Sequence, residues 1–422
     1  MFRSLQLHNY RIWFLGALVS NIGTWMQRTA QSWLVYDILT DQNASALGIT
    51  MALQLGPQLV LAPWTGLVAD TVDRRKLLVA TQCLMAVLGV GLGLMVVAGA
   101  ADLWHVYAFA LALGLVAAFD GPARQSFVSE LVREDYLPNA VALNSASFNG
   151  ARLIGPAVAG LLTAAVGPGW VFLLNGLTFG AMIYALLVLR RDDLRSQPKS
   201  VRGKGRIREG FRYVRMRPDL MMVLLAIFIV GTFGLNFGIY IAAMARTEFG
   251  QGAGVFGLLS SVMAFGSVAG ALLAARRSTP RLRFVFGAAG AFGVACAVAA
   301  LAPNLWSFGL ALVPVGLSAL TLMTSANSYV QTTTAPIMRG RVMALYFAVF
   351  LGGTPLGAPV VGWISDTFGP RWGLGAAAAS GVTAAVLGLL WAWRYHHLRV
   401  SYRRTLRPHW ILIRAAPPRR RR

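Results

Sequence analysis

The sequence predicts an all-α membrane protein with twelve transmembrane helices in two pseudo-symmetric six-helix bundles. Three observations predict it: a dozen apolar stretches of spanning length, basic residues gathered on alternate connections, and an internal repeat between the halves. A hydrocarbon core takes about 20 apolar residues per helix. Such stretches, here called spans 1 to 12, lie at 12–36, 46–69, 77–99, 104–128, 140–165, 170–189, 219–245, 254–275, 284–303, 305–331, 342–365 and 372–394. Backbone amides in lipid must be bonded internally, and these stretches are unbroken rather than alternating, so helices are expected and not a barrel. Span 1 is too long for a cleaved leader and lacks a small-residue cleavage pattern before Asp37, so it is expected to stay as a helix.

Composition narrows the class. The 422 residues are 56% hydrophobic and 13% charged, too few charges for a soluble globule. If the N-terminus starts inside, 33 of the 38 Lys and Arg fall in cytoplasmic segments, two in outer loops (Arg246, Arg371) and three within spans (Arg28, Arg124, Arg152). The positive-inside rule then predicts that both termini are cytoplasmic. The net charge of +23 is therefore a topology signal, and no nucleic-acid partner is expected. Cys83 and Cys296 sit mid-span without metal-ligand spacing and read as packing residues. No metal or cofactor is expected. Enzyme chemistry is disfavoured because His8, His105 and His409 are scattered and His396-His397 are adjacent with no acid joining them. An ATP-driven pump is disfavoured because no Gly-x-x-x-x-Gly-Lys-Ser/Thr loop is present.

Shifting the sequence by 202 residues lays Gly155, Gly160, Gly167, Pro168 and Trp170 on Gly357, Gly362, Gly369, Pro370 and Trp372. Spans 5 and 11 are then equivalent members of two halves. The expected organisation is an N-terminal bundle at 1–190, a cytoplasmic linker with an amphipathic helix at 191–218, a C-terminal bundle at 219–395, and a basic cytoplasmic tail at 396–422. In the linker, Ile207, Phe211 and Val214 recur at helical spacing among Arg206, Arg208, Arg212, Arg215 and Arg217, a pattern suited to the inner leaflet. The Arg-rich tail, with Trp410-Ile411-Leu412-Ile413 embedded, is likewise expected to meet anionic lipid.

The connection after span 2 reads Gly66-Leu67-Val68-Ala69-Asp70-Thr71-Val72-Asp73-Arg74-Arg75-Lys76, which resembles the signature Gly-x-Leu-Ala-Asp-Arg-x-Gly-Arg-Arg-Lys of the major facilitator superfamily. Thr71 and Asp73 depart from it. The resemblance implies two bundles rocking about a midplane site, with Gly66, Asp70, Arg74 and Arg75 as a gate in which Asp70 meets the start of span 11. The matching connection of the second half has Ala274 in place of the acid, so the gate is asymmetric. Gly155, Pro156 and Gly160 resemble the Gly-Pro-x-x-Gly-Gly packing motif of the superfamily's antiporters, with Ala159 replacing one glycine. Ala118-Phe119-Asp120-Gly121-Pro122-Ala123-Arg124, Leu137-Pro138-Asn139-Ala140 and Arg339-Gly340-Arg341-Val342 are similar to the bacterial branch of enterobactin and drug exporters, over residues 5 to 395.

A charge at a helix centre costs roughly 2.5 to 3.5 kcal/mol on insertion scales, so charged residues within spans are functional candidates. There are four here: Arg28, Asp120, Arg124 and Arg152. Asp120 and Arg124, spaced i, i+4, should meet on one helix face. They are the proton-coupling candidates, with Asp37 and Glu130 at span edges. Arg152, near mid-membrane, is expected to line a cavity and bind an anionic or carbonyl-rich substrate, pair with a proton-exchanging carboxylate, or link structurally to Asp120. The resemblance places spans 1, 4, 7 and 10 around that cavity and adds Arg28, Gln31, Trp33, Asn236 and Asn327. The expected function is an alternating-access, proton-coupled exporter of a siderophore, drug or metabolite, monomeric in a bacterial inner membrane among its lipids. An uptake carrier of the same fold and a non-transporting sensor or assembly factor are the alternatives.

Overall fold

Helices follow the apolar stretches because each is long enough to satisfy its own backbone in lipid. The computed structural model describes residues 3–195, 206–275, 281–396, 398–403 and 409–414. At 63, 66, 67, 69, 70, 206–208, 275, 395 and 396, and in the last two segments, it describes the backbone alone. The first bundle comprises α1 (His8–Trp33), α2 (Ala44–Thr71), α3 (Arg74–Val97), α4 (Leu103–Leu131), α5 (Leu137–Val166) and α6 (Pro168–Val188). A linker helix α7 (Arg206–Arg215) leads to the second bundle. There α8 (Pro218–Phe233) and α9 (Phe237–Ala243) are followed by α10 (Ala253–Ala275), α11 (Leu282–Ala300), α12 (Leu305–Thr333), α13 (Pro336–Phe368) and α14 (Pro370–His396). Beyond the bundles, β1 (Leu398–Arg403) pairs antiparallel with β2 (His409–Arg414).

The helix starts are chemically marked. Asn43 accepts the Ala46 amide at 2.8 Å, Asp73 that of Lys76 at 3.2 Å, and Asn304 that of Ser307 at 2.9 Å, each relieving an orphan donor. The repeat is visible in one turn: Gly167 and Gly369 adopt φ of 89° and 101°, a left-handed conformation that favours glycine, and Pro168 and Pro370 start the next helices.

Eleven helices among the described residues are long and apolar enough to cross a membrane. The predicted first span, α1, has the length, at 26 residues, but is more polar. Its polar groups find protein partners: Asn9 donates to the Arg190 carbonyl at 2.9 Å, and Gln27 accepts from Asn175 of α6. Span 7 is interrupted at Gly234 to Asn236, between α8 and α9. The sequence reading had it as one rod; Asn236 turns its amide back on the Thr232 carbonyl at 2.7 Å, and the Tyr240 hydroxyl takes the carbonyl of Phe233.

One face of the molecule carries the chain ends of the bundles and the linker; we call it the terminal face. Here Arg74 pairs with Glu130, Arg75 donates to the carbonyls of Leu186 and Leu187 at 2.7 and 2.9 Å, and Arg341 pairs with Glu209 of α7. Arg217 grips Asp219 at 2.7 Å, which lifts the guanidinium pKa above its ordinary value. Of the linker's apolar residues, Val214 is buried, Phe211 is exposed, and the side chain of Ile207 lies outside the described residues.

The two halves close on each other at the opposite face. Glycines allow it: a Cβ on Gly257 of α10 would meet the Pro156 carbonyl and stand 2.8 Å from the Gly160 Cα, while one on Gly48 of α2 would reach Ala358 and stand 2.9 Å from the Pro359 Cα. Polar contacts then lock the same face. Asp37 meets Arg246 at 2.5 Å, Tyr36 and Thr247 share a 2.6 Å hydrogen bond, and Thr247 donates to Gln42 at 2.8 Å. Asp366, at the end of α13, accepts the amides of Ala44 and Ser45 at 2.7 and 2.8 Å and the Ser45 hydroxyl at 2.5 Å. A carboxylate thereby caps the first turn of α2, where the helix dipole favours negative charge. Among the described residues, the hydrogen bonds and ion pairs that join one bundle to the other lie at this face.

Two outcomes are expected from this seal. Asp366→Ala removes a cap worth about 1 kcal/mol, so the ratio of open to closed opposite face should rise about fivefold. Gly257→Val forces overpacking of about 1 to 3 kcal/mol and should open that face further. Both are checked by electron double-resonance distances between spin labels at Ile38→Cys and Thr367→Cys, exposed positions on the two halves; an unchanged distance distribution would refute the assignment of the seal.

Candidate substrate cavity and intramembrane charges

The site begins with how closely α1 and α5 approach. A Cβ on Gly155 would lie 2.6 Å from the Trp25 Cβ and 3.2 Å from the Ile22 carbonyl, so only a residue without a side chain fits there. Asn21 donates to the Ser147 hydroxyl at 3.4 Å, and Trp25 packs edge-on to Phe148 at 5.7 Å. This crossing brings Arg28 of α1 and Arg152 of α5 to one aromatic ring: their guanidinium carbons lie 5.3 and 5.7 Å from the Trp25 ring centre.

Both arginines sit one helical turn on the terminal side of the seal. Four residues after Arg28, the Ser32 hydroxyl lies 3.5 Å from where a Cβ on Gly238 of α9 would stand. Four residues after Arg152, the Pro156 carbonyl meets Gly257 of α10. Both side chains are partly exposed, and neither forms a hydrogen bond or ion pair with any described residue. A guanidinium over an aromatic face gains about 0.5 to 2 kcal/mol, which does not replace a counter-charge.

The other pair of intramembrane charges is satisfied differently. Asp120 is 7% exposed, and its Oδ1 accepts from the Thr81 hydroxyl and the Gln82 amide, both at 2.8 Å. Its Oδ2 accepts from Arg124 at 3.1 Å. Gln82 in turn accepts from Ser20 at 3.4 Å, so the carboxylate clasps α3 and α4 and reaches α1. The structural link considered between Arg152 and Asp120 is not formed: Arg124 has the place. Thr81 and Gln82 were missed in the sequence because a lone Thr-Gln in an apolar span carries no charge to mark it.

The remaining candidates separate. Trp33 is buried and stacked on Phe256 of α10 at 5.7 Å, inside the seal and not on an open wall. Gln31 and Asn236 are buried, each with a side-chain oxygen that has no hydrogen-bond partner among the described residues. Asn327 lines a cavity of about 380 Å³ between α12 and α13, with Thr324, Ser328, Gln331 and Phe347. Gly155, Pro156 and Gly160 lie on the α1 and α10 crossings described above. Of the gate motif, Arg74 and Arg75 hold the terminal face together, while the side chains of Gly66 and Asp70 lie outside the described residues. Arg276 and Arg277 also lie outside them. Asp366, Arg246 and Asp37 join the two halves at the opposite face. Sequence reading placed Arg246 in an outer loop and noted Asp37 only as a span edge, and it passed over Asp366, although an acid at the end of the helix partnering α2 was the available signal.

Comparisons with known proteins agree with this architecture. A bacterial homologue of the human lysosomal transporter Spinster, solved in an inward-facing, occupied conformation, superposes with a TM-score of 0.71 at 15% identity, covering 89% of this chain and 95% of that one. A POT family transporter in complex with 5-aminolevulinic acid gives 0.73 at 11% identity over 91% and 96%. Among curated proteins, the chain is 21% identical to the staphyloferrin A transporter of Staphylococcus aureus over 85% of this chain and 90% of that one. It is 25% identical to the enterobactin exporter EntS of Shigella flexneri over 82% of each chain. To the multidrug efflux pump Tap of Mycolicibacterium fortuitum it is 26% identical over 84% and 88%. The model of the transmembrane secretion effector family matches residues 2–402, so the chain is a multi-pass membrane protein that belongs to this family of major facilitator transporters.

Proposed function

We propose that the chain is a secondary transporter that exports a small organic molecule from the bacterial cytoplasm across the inner membrane by alternating access. The observation that carries this reading is the pair Arg28 and Arg152, partly exposed, sharing the Trp25 ring and without an ion pair among the described residues, one turn from the seal between the halves. Charges kept in that position are expensive unless they serve cargo or coupling. By the positive-inside rule, the basic connections Arg74–Lys76, Arg190–Arg191 and Arg339–Arg341 assign the terminal face to the cytoplasm. The conformation described is then inward-open, with the arginines at the closed end and Asn327 on the wall nearer the cytoplasm.

In the opposite state the seal would open and the terminal face close. Asp70 at the end of α2 and Asp366 at the end of α13 would serve in turn, each capping the helix start presented by its antiparallel partner. Asp120 with Arg124 is the proton-coupling candidate: its carboxylate accepts three hydrogen bonds here, and coupling would require a rearrangement that breaks them. Siderophore and drug exporters among the relatives favour efflux. An uptake carrier of the same fold is the second reading, because the seal alone does not set direction.

Three measurements test these assignments. Maleimide labelling of Lys76→Cys and Arg283→Cys should place both on the cytoplasmic face; opposite faces would overturn the topology. In inverted vesicles a proton gradient should drive accumulation of cargo from a panel of siderophores and drugs, and flux only in the other direction would favour uptake. Asp120→Asn should cut gradient-driven flux at least tenfold while leaving exchange of cargo down its own gradient; undiminished driven flux removes Asp120 from coupling.

A further inference from the structure

The transport reading leaves the cargo's chemistry open, and the surroundings of Trp25 constrain it. We infer that Arg28 and Arg152 form a binding site for an organic anion carrying at least two oxyanion groups, one for each guanidinium, with the Trp25 ring as the surface between them. The inference rests on the cavity being the transport site and names the cargo's class.

Charge balance is the first argument. The two guanidinium carbons are no farther apart than the sum of their distances to the Trp25 ring centre, 5.3 and 5.7 Å. At such separations in a site of low dielectric, like charges repel strongly and need a counter-charge. The intramembrane and span-edge carboxylates are engaged elsewhere: Asp120 by Thr81, Gln82 and Arg124, Asp37 by Arg246, and Glu130 by Arg74. No described carboxylate is left for Arg28 or Arg152. A bound dianion would neutralise both at once.

Geometry is the second. A guanidinium lying over an indole keeps its N–H edges free, and those edges form the planar fork that takes carboxylate or phosphate oxygens two at a time. Toward the terminal face, the separate pocket between α12 and α13 offers Thr324, Asn327, Ser328 and Gln331, neutral groups able to hydrogen-bond a polar molecule. Its wall has no acidic residue to pair with an organic cation.

The test uses the full-length protein in lipid nanodiscs at fixed ionic strength. Binding is measured for acetate, glutarate and citrate, for glycerol 3-phosphate, and for tetraphenylphosphonium. Affinity should rise from acetate through glutarate to citrate, and comparison of glutarate with glycerol 3-phosphate tells carboxylate from phosphate preference. Losing a charged hydrogen-bonding partner in Arg28→Gln or Arg152→Gln should weaken citrate about 10- to 100-fold, with partial recovery in Arg28→Lys and Arg152→Lys. Anion binding that shows no dependence on valence, anion binding indifferent to both substitutions, or tighter binding of tetraphenylphosphonium than of any anion overturns the inference. The valence series needs no variant, so a variant that misfolds leaves the test intact. Efflux of an organic cation by the unsubstituted protein, with no valence-dependent anion binding, would sink the anion site and leave the transport reading standing; valence-dependent binding without flux of any compound would do the reverse.

Discussion

Helices in lipid gain little from burial against one another, because the tails around them are as apolar as leucine, so they associate where small residues let backbones touch. This constraint organises the molecule. Gly160 and Gly257 join α5 to α10, Gly48 and Gly362 join α2 to α13, and these crossings bring the two bundles together at one face. Gly155, on the same helix as Gly160, admits Trp25 of α1. The position of the arginine pair is therefore a by-product of glycine spacing on α5: the turn that seats α1 and the turn that meets α10 are consecutive, and Arg152 precedes them both.

Four charged side chains within the spans resolve the cost of burial in two ways. Asp120 and Arg124 satisfy each other, and Thr81 and Gln82 fill the other lone pairs, so that pair is neutral and fixed across three helices. Arg28 and Arg152 share only an aromatic face. A paired carboxylate and guanidinium tied to three helices stabilise one arrangement of the bundle, whereas an uncompensated pair of cations is unfavourable in a way that a ligand of opposite charge would relieve. The first suits a joint and the second a site.

Much of the architecture was legible because membrane helices are marked by composition over twenty residues, a signal that survives errors at the ends. The repeat was legible for a different reason: Gly167 and Gly369 occupy backbone conformations that other residues enter only under strain, so both copies kept glycine followed by proline. The break in span 7 was hidden, because one Asn in an apolar run does not itself mark an interruption, which depends on Asn236 and Tyr240 bonding freed carbonyls. Within the site, charge made Arg28, Arg152, Asp120 and Arg124 readable one at a time. Their partners were not, since pairing depends on which helix faces which. Trp33 shows the limit: an aromatic beside a cavity helix and an aromatic in a seal have the same sequence signature.

The seal is built from weak parts, and this agrees with what a gate requires. Asp37 and Arg246 are both partly exposed, and Asp366 is exposed. Exposed ion pairs contribute about 0.2 to 1 kcal/mol, and a carboxylate at an exposed helix start about 0.3 to 1 kcal/mol. Summed over so few contacts, the polar lock favours closure by a few kcal/mol at most, an amount that a ligand can offset if it binds the two access states with modestly different affinity. A buried, fully desolvated lock would hold one state beyond the reach of any cargo. Keeping the strong, buried hydrogen bonds of Asp120 within one bundle, and the weak, wet ones between bundles, suits the proposed alternating access, in which each half would move as a unit.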